Sequence, residues 1–168
     1  MLWPSNMIKR VQFWSNRLLI QLGVLDLGAV ASRSYQTDAV HIIAHPNLRI
    51  VVAHLGQPNP MVETDPRLWK IWLKQIDLGK LNNVWLDNTA LPAYLSNEGY
   101  PYPSAARYIR IAIERIGPNE SNVGNWHPRA LSHLTYLQLV NLAKHHTKFL
   151  NQEEQAMVLG GNAIEFYD

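Results

Sequence analysis

Three residues stand where a short apolar run ends: Asp26 after Val24-Leu25, His54 after Val51-Val52-Ala53, and Asp87 after Val84-Trp85-Leu86. A carboxylate or a neutral imidazole can ligate a divalent metal or move a proton, provided something rigid aims it. In parallel α/β folds the carboxyl ends of the strands face the ligand site, so a polar residue there stands where chemistry is done. Such a residue can equally be structural, tying its strand to a loop. Three of them, all carboxylate or imidazole, weigh toward a catalytic rim. His54 is the sharpest, because the turn-forming sequence Leu55-Gly56-Gln57-Pro58 follows it. The plainer alternative is a histidine that caps a strand by bonding to a loop.

The remaining histidines carry less. His145 and His146 are adjacent, so on a helix they diverge by about 100° and cannot chelate one ion from one face. A basic pair near a helix C-terminus is favoured by the helix dipole alone. His41 and His45 have a spacing that can chelate on a helix, but Pro46 ends the segment and a surface or loop role fits better. His133 stands near a helix start and belongs to no pattern. Gly23, Gly28, Gly56 and Gly124 form no phosphate-cradling arrangement, and there is no Gly-x-Ser-x-Gly elbow. With no cysteine, thiolate ligands, disulfides and cysteine nucleophiles are excluded.

The elements that must position these residues alternate. Apolar runs at Gly23 to Gly28, Leu48 to His54 and Asn83 to Asp87 read as strands, with a weaker one at Ser121 to Trp126. Between them the period is helical. Asp65-Pro66 predicts an N-cap with proline in the first turn, and Leu68, Trp69, Trp72, Leu73 and Ile76 make one apolar stripe that Gly79 ends. Ser104 is the expected cap of a helix closed by Gly117-Pro118. Leu134 to Lys144 reads as another helix. Asn151 with Glu154 is a capping-box pattern for a last helix ending at Gly160-Gly161, and Tyr35 to Ala44 reads as a short helix. Strands alternating with helices imply a parallel sheet of βαβ units, and four such units are half of an eight-unit barrel.

Composition sets the frame. The chain has 168 residues, 47% of them hydrophobic and 17% charged, with six Trp and seven Tyr. That is material for one core, and the whole of residues 1–168 reads as a single partial barrel. The net charge of +2 is small and the Lys and Arg are scattered, so no nucleic-acid partner is expected. Lys9, Arg10, Asn16 and Arg17 interrupt the apolar N-terminus, which has neither a leader pattern nor a membrane span. The expectation is a cytoplasmic protein with no membrane association.

Three stretches then resemble a known family: Asn47 to Gly56, Tyr108 to Pro118, and Phe149 to Glu154 continuing through Leu159-Gly160-Gly161-Asn162-Ala163. In this order they are similar to the amidohydrolase 2 family of metal-dependent hydrolases and aminocarboxymuconate-semialdehyde-type decarboxylases. The likeness covers residues 8 to 168 as barrel strands five to eight. It implies a distorted TIM-type (β/α)8 barrel with one divalent metal, usually zinc, at the C-terminal rim. The metal's ligands in the family are a His-x-His pair on strand one, a His on strand five and an Asp on strand eight. A His on strand six moves protons or activates the metal-bound water.

By this resemblance His54 is the strand-six histidine and the catalytic candidate. Asp26 takes the strand-five ligand position, as a carboxylate where many members have imidazole. Strand eight departs from the pattern: Trp126 stands where the ligand Asp belongs, and an indole cannot bind zinc. His127, next along, points to the opposite face if the strand is extended. The His-x-His strand falls upstream of Met1. The expectation is therefore half of a barrel, with Asp87, Trp126 and His127 on its rim and an incomplete metal centre. The chain alone is expected to be inactive, and to act on small carboxylated or amide substrates only as a homodimer or with a partner chain that supplies the N-terminal half. The rival expectation is a non-catalytic module that completes another chain's barrel.

Overall fold

Arg49-Ile50-Val51-Val52 and Val84-Trp85-Leu86-Asp87 are β-branched and aromatic runs with apolar groups on successive residues, as strands covered on both faces require. In the computed structural model they are the central strands of one four-stranded sheet. Residues 24–26, 47, 49–88, 91–95, 97–119, 121–122 and 134–167 are described. The strands are β1 (Val24–Asp26), β2 (Arg49–Val52), β3 (Val84–Asp87) and β4 (Ser121–Asn122), in that spatial order. Every pairing is parallel, and Asp26, Val51 and Trp85 lie side by side in register.

Parallel neighbours need crossovers, and among the described residues these are helical. Between β2 and β3 run α1 (Pro60–Thr64), α2 (Pro66–Ile76) and a 3-10 turn, Asp77–Lys80. Between β3 and β4 run α3 (Leu91–Tyr94) and α4 (Pro103–Ile116). After β4 come α5 (Tyr136–His146), α6 (Gln152–Ala156), a π-type turn at Met157–Gly161, and α7 (Asn162–Tyr167).

A strand alternates its side chains with period two, so each face has its own core. Ile50, Val52, Val84 and Leu86 pack with Trp72 and Ile76 of α2 and with Tyr108 and Ala112 of α4. Trp69, Trp72 and Tyr108 form an aromatic group there, with ring centroids 4.7 to 6.4 Å apart. Val51 and Trp85 face the other way and form a second cluster with Phe166 of α7. The Trp85 and Phe166 rings meet edge to face at 4.9 Å, and the Arg49 guanidinium lies 5.7 Å from the Phe166 centroid. Arg49 Nη1 also donates to the Glu165 carbonyl at 3.3 Å.

Two ion-pair groups pin α4. Glu63 of α1 accepts from Arg107 and, at 2.8 Å, from the Tyr108 hydroxyl. The hydrogen bond from Arg107 holds the Glu63 carboxyl below its ordinary range. Burial, with Glu63 beside it, drives the Tyr108 phenol well up. Asp77 takes Arg115 in two-pronged fashion at 3.1 and 2.5 Å, and Lys80 at 2.7 Å.

Several sequence expectations hold. Asp65 caps α2 by accepting from Arg67 and Leu68 N–H at 2.8 and 3.2 Å, Gly117 closes α4 with φ of 90°, and Asn151 and Glu154 form the reciprocal capping box. Others are corrected. Ser104 does not cap α4: the helix begins at Pro103, and the Ser104 N–H donates to the Glu98 carboxylate at 3.1 Å. The Leu134 helix starts at Tyr136, because Thr135 is its cap and boxes with Gln138. Gly160-Gly161 do not end the last helix. They fall in the π-type turn, and the chain resumes helically as α7. α2 stops at Ile76, and Gly79 lies within the 3-10 turn beyond it rather than ending the helix. The expected helix at Tyr35 to Ala44, with His41 and His45, lies outside the described residues, as does His133.

Candidate functional site

β2 ends at Val52, and the chain then makes an unusual turn. His54, Leu55, Gly56 and Gln57 all have left-handed backbones, with φ of 54°, 51°, 67° and 58°. For an L-residue this conformation costs about 1–2 kcal/mol each, so something must hold it. The Gln57 N–H donates to the His54 carbonyl at 2.9 Å and closes the turn. The Trp72 indole N–H donates to the Leu55 carbonyl at 2.7 Å inside the core, and the Leu55 side chain is fully buried. Burying one leucine contributes roughly 1.5–3 kcal/mol and a buried hydrogen bond about 1 kcal/mol, the same order as the strain. Gly56 is required twice over: φ is positive, and a Cβ there would stand 2.3 Å from Gln75 Oε1.

The turn delivers His54 to the carboxyl ends of the strands. Its Nδ1 lies 3.7 Å from Asp87 Oδ2, with only 12% and 18% of the two side chains exposed. Val52 and Leu86 are register partners, so Asp87, one residue on, and His54, two residues on, both stand at the carboxyl ends of neighbouring strands. The Tyr94 ring of α3 packs at 5.6 Å from the imidazole, tilted by 41°. An acid–base residue thus meets a carboxylate on a rigid rim, walled by an aromatic ring. Such a set can hold and transfer a proton.

The other sequence candidates divide. Asp26 ends β1 beside Val51, so its backbone is at the rim. Trp126 and His127 lie outside the described residues. His145 is exposed at the end of α5 as the dipole argument expects. His146 needs a different account. It is buried, its Nε2–H donates to the Pro101 carbonyl at 2.6 Å, and burial holds its pKa below the usual 6.5. Sequence reasoning missed Tyr94, Trp72 and Gln75 as supports of His54. Only the apolar stripe through Trp72 hinted at one of them.

A metal needs more than this rim supplies. Among the described residues no three His, Cys, Asp or Glu side chains gather to hold an ion. His54 and Asp87 alone would leave a zinc ion far from its closed four-coordinate shell. The donors here do not fit a resident metal by themselves.

A family model for amidohydrolases matches residues 37–168. The chain belongs to the amidohydrolase family. No curated protein matches this amidohydrolase chain. Among solved structures it is similar to an amidohydrolase from Burkholderia multivorans with bound HEPES, at 18% identity and a TM-score of 0.74. It is likewise similar to an amidohydrolase of that organism with bound zinc, at 19% identity and a TM-score of 0.71. Each likeness covers 86% of this chain and 52% of the other, so the amidohydrolase chain spans about half the length of the structures it matches. At this identity the likeness speaks for the fold. Among the described residues no helix is long and apolar enough to cross a membrane.

Proposed function

We propose that this chain is the proton-transfer half of an amidohydrolase-type (β/α)8 barrel, contributing strands five to eight. The observation that carries the reading is His54 beside Asp87 at the carboxyl ends of adjacent parallel strands, 3.7 Å apart. The unreversed strand order supports a sector of a barrel, since doubly wound sheets reverse their order part-way. The other four strands come from polypeptide outside this segment or from a second chain. A β1 or β4 edge left open is an unsatisfied pairing surface that such a partner, or a second copy, would cover.

The substrate class is a small carboxylated or amide compound, and the reaction is hydrolysis or the related loss of a carboxyl group. His54 accepts and returns the proton, Asp87 faces it, and Tyr94 walls the imidazole from water. By the family resemblance Asp26 takes the ligand position on strand five. A divalent metal, as in the zinc-bound relative, would need donors from the other half of the barrel. We therefore assign no step to it. The lack of cysteine suits a reducing cytoplasm.

The test is reconstitution. This chain is co-expressed with an N-terminal barrel half carrying a His-x-His strand, purified without chelator, and assayed for metal by mass spectrometry and for hydrolysis or decarboxylation of a panel of amides and small carboxylated compounds. Stoichiometric metal in the pair, with turnover abolished by His54→Ala, is expected. A pair that assembles but neither binds metal nor turns over anything favours the second reading, a module that completes a barrel without catalysis. That reading draws on the lack of a three-ligand cluster among the described residues.

A further inference from the structure

The His54 imidazole has two nitrogens, and which one is basic decides what it can do. A neutral ring carries one proton, and the partner of one nitrogen sets the character of the other. Asp87 sits on the Nδ1 side at 3.7 Å, within ion-pair distance and roughly 1 Å beyond a charge-assisted hydrogen bond. A carboxylate only accepts, so it favours the ring with hydrogen on Nδ1. Both side chains are largely shielded, which strengthens the preference over its value in water.

The frame around the pair is stiff. Asp87 ends a strand paired on both sides. His54 rides the left-handed turn that the Trp72 indole fastens to the core through the Leu55 carbonyl. The Tyr94 ring limits the swing of the imidazole. Catalytic contacts of this kind tighten when substrate closes the site.

We propose that Asp87 is the positioning residue for His54: it fixes the tautomer with hydrogen on Nδ1 and presents Nε2 as the basic nitrogen. This rests on the reading of His54 as the proton-transfer group. His146 supplies a contrast within the same chain, because its Nε2 donates to the Pro101 carbonyl and must carry the hydrogen.

The experiment is long-range nitrogen–proton NMR of the imidazoles in the full chain, at a pH about two units above the ordinary imidazole pKa. His54→Gln and His146→Gln identify the two sets of signals. In the wild type His54 shows hydrogen on Nδ1 and His146 shows hydrogen on Nε2. Asp87→Ala lowers the Nδ1–H to Nε2–H ratio of His54 by about tenfold or more and leaves His146 unchanged. If that variant loses the His146 signature it has not folded, and Asp87→Leu, which fills the space without an acceptor, must move the ratio the same way. A wild-type His54 with hydrogen on Nε2 overturns the proposal, as does a ratio that neither folded variant changes. The readout needs no substrate, so a reconstituted barrel without activity would sink the functional reading and leave this result standing.

Discussion

The left-handed turn at His54 can be probed by filling the one position where it has no side chain. Gly56→Ala puts a methyl 2.3 Å from Gln75 Oε1, 2.6 Å from its Cδ and 2.8 Å from its Nε2. Gln75 is buried, so its amide has little room to withdraw. The left-handed backbone adds about 1–2 kcal/mol of strain for alanine, and overpacking a filled site adds about 1–3 kcal/mol. Reduced freedom of the unfolded chain returns roughly 0.4–1 kcal/mol. Urea unfolding followed by tryptophan fluorescence should therefore show a loss of about 1–4 kcal/mol. The same substitution in a Gln75→Ala background removes the collision and keeps the backbone strain. The double-mutant cycle should report a coupling of about 1–3 kcal/mol between the two positions. Additive effects, with Gly56→Ala alone costing under about 0.5 kcal/mol, would refute both the turn geometry and the packing of Gln75 over it.

Two further outcomes follow from buried groups away from the rim. Burial lowers the pKa of His146 in the folded chain, so the unfolded chain binds that proton more readily. Stability should be level above the ordinary value of 6.5 and fall as pH drops from there toward the folded pKa. His146→Gln should flatten this part of a urea-midpoint against pH curve, and an unchanged slope would count against the burial. Phe166→Ala should destabilise by about 3–5 kcal/mol and expose Trp85, seen as a red-shifted emission of the folded state. A shift of the midpoint without any change in emission would place Phe166 elsewhere than on that indole.

What the sequence revealed and what it hid divide along contact distance. Strands β2 and β3 were legible because Ile50 to Val52 and Val84 to Leu86 are apolar on successive residues. Asp65 and Asn151 announced their helices because a cap acts within three residues of itself. Gly56 marked a turn after His54, but one glycine cannot say that its three neighbours also take left-handed backbones. That depends on an indole 17 positions later in the chain. The burial of His146 depends on a carbonyl 45 positions away, and the dipole argument had no access to it. Gly160-Gly161 read as a stop because glycine usually follows a helix. The chain runs on because Asn162 is anchored to the Pro118 carbonyl at 2.7 Å and Phe166 has a sheet face to cover.

The two ends of the sheet have been given different work, and the placement of strain follows it. Phe166 meets Arg49, the residue that opens β2, so α7 covers the sheet face toward the amino ends of the strands with apolar packing and ordinary backbone. At the carboxyl ends the chain holds four left-handed residues in a row and keeps an imidazole and a carboxylate close together. Strain of that kind persists only where surrounding structure over-determines it, and such sites cluster where ligands are handled. A histidine that merely capped β2 could do so from a relaxed turn. The fold instead commits a buried tryptophan and a glycine to fix the direction in which His54 points. That expenditure is accounted for if the orientation of one ring matters more than the stability of the loop that carries it.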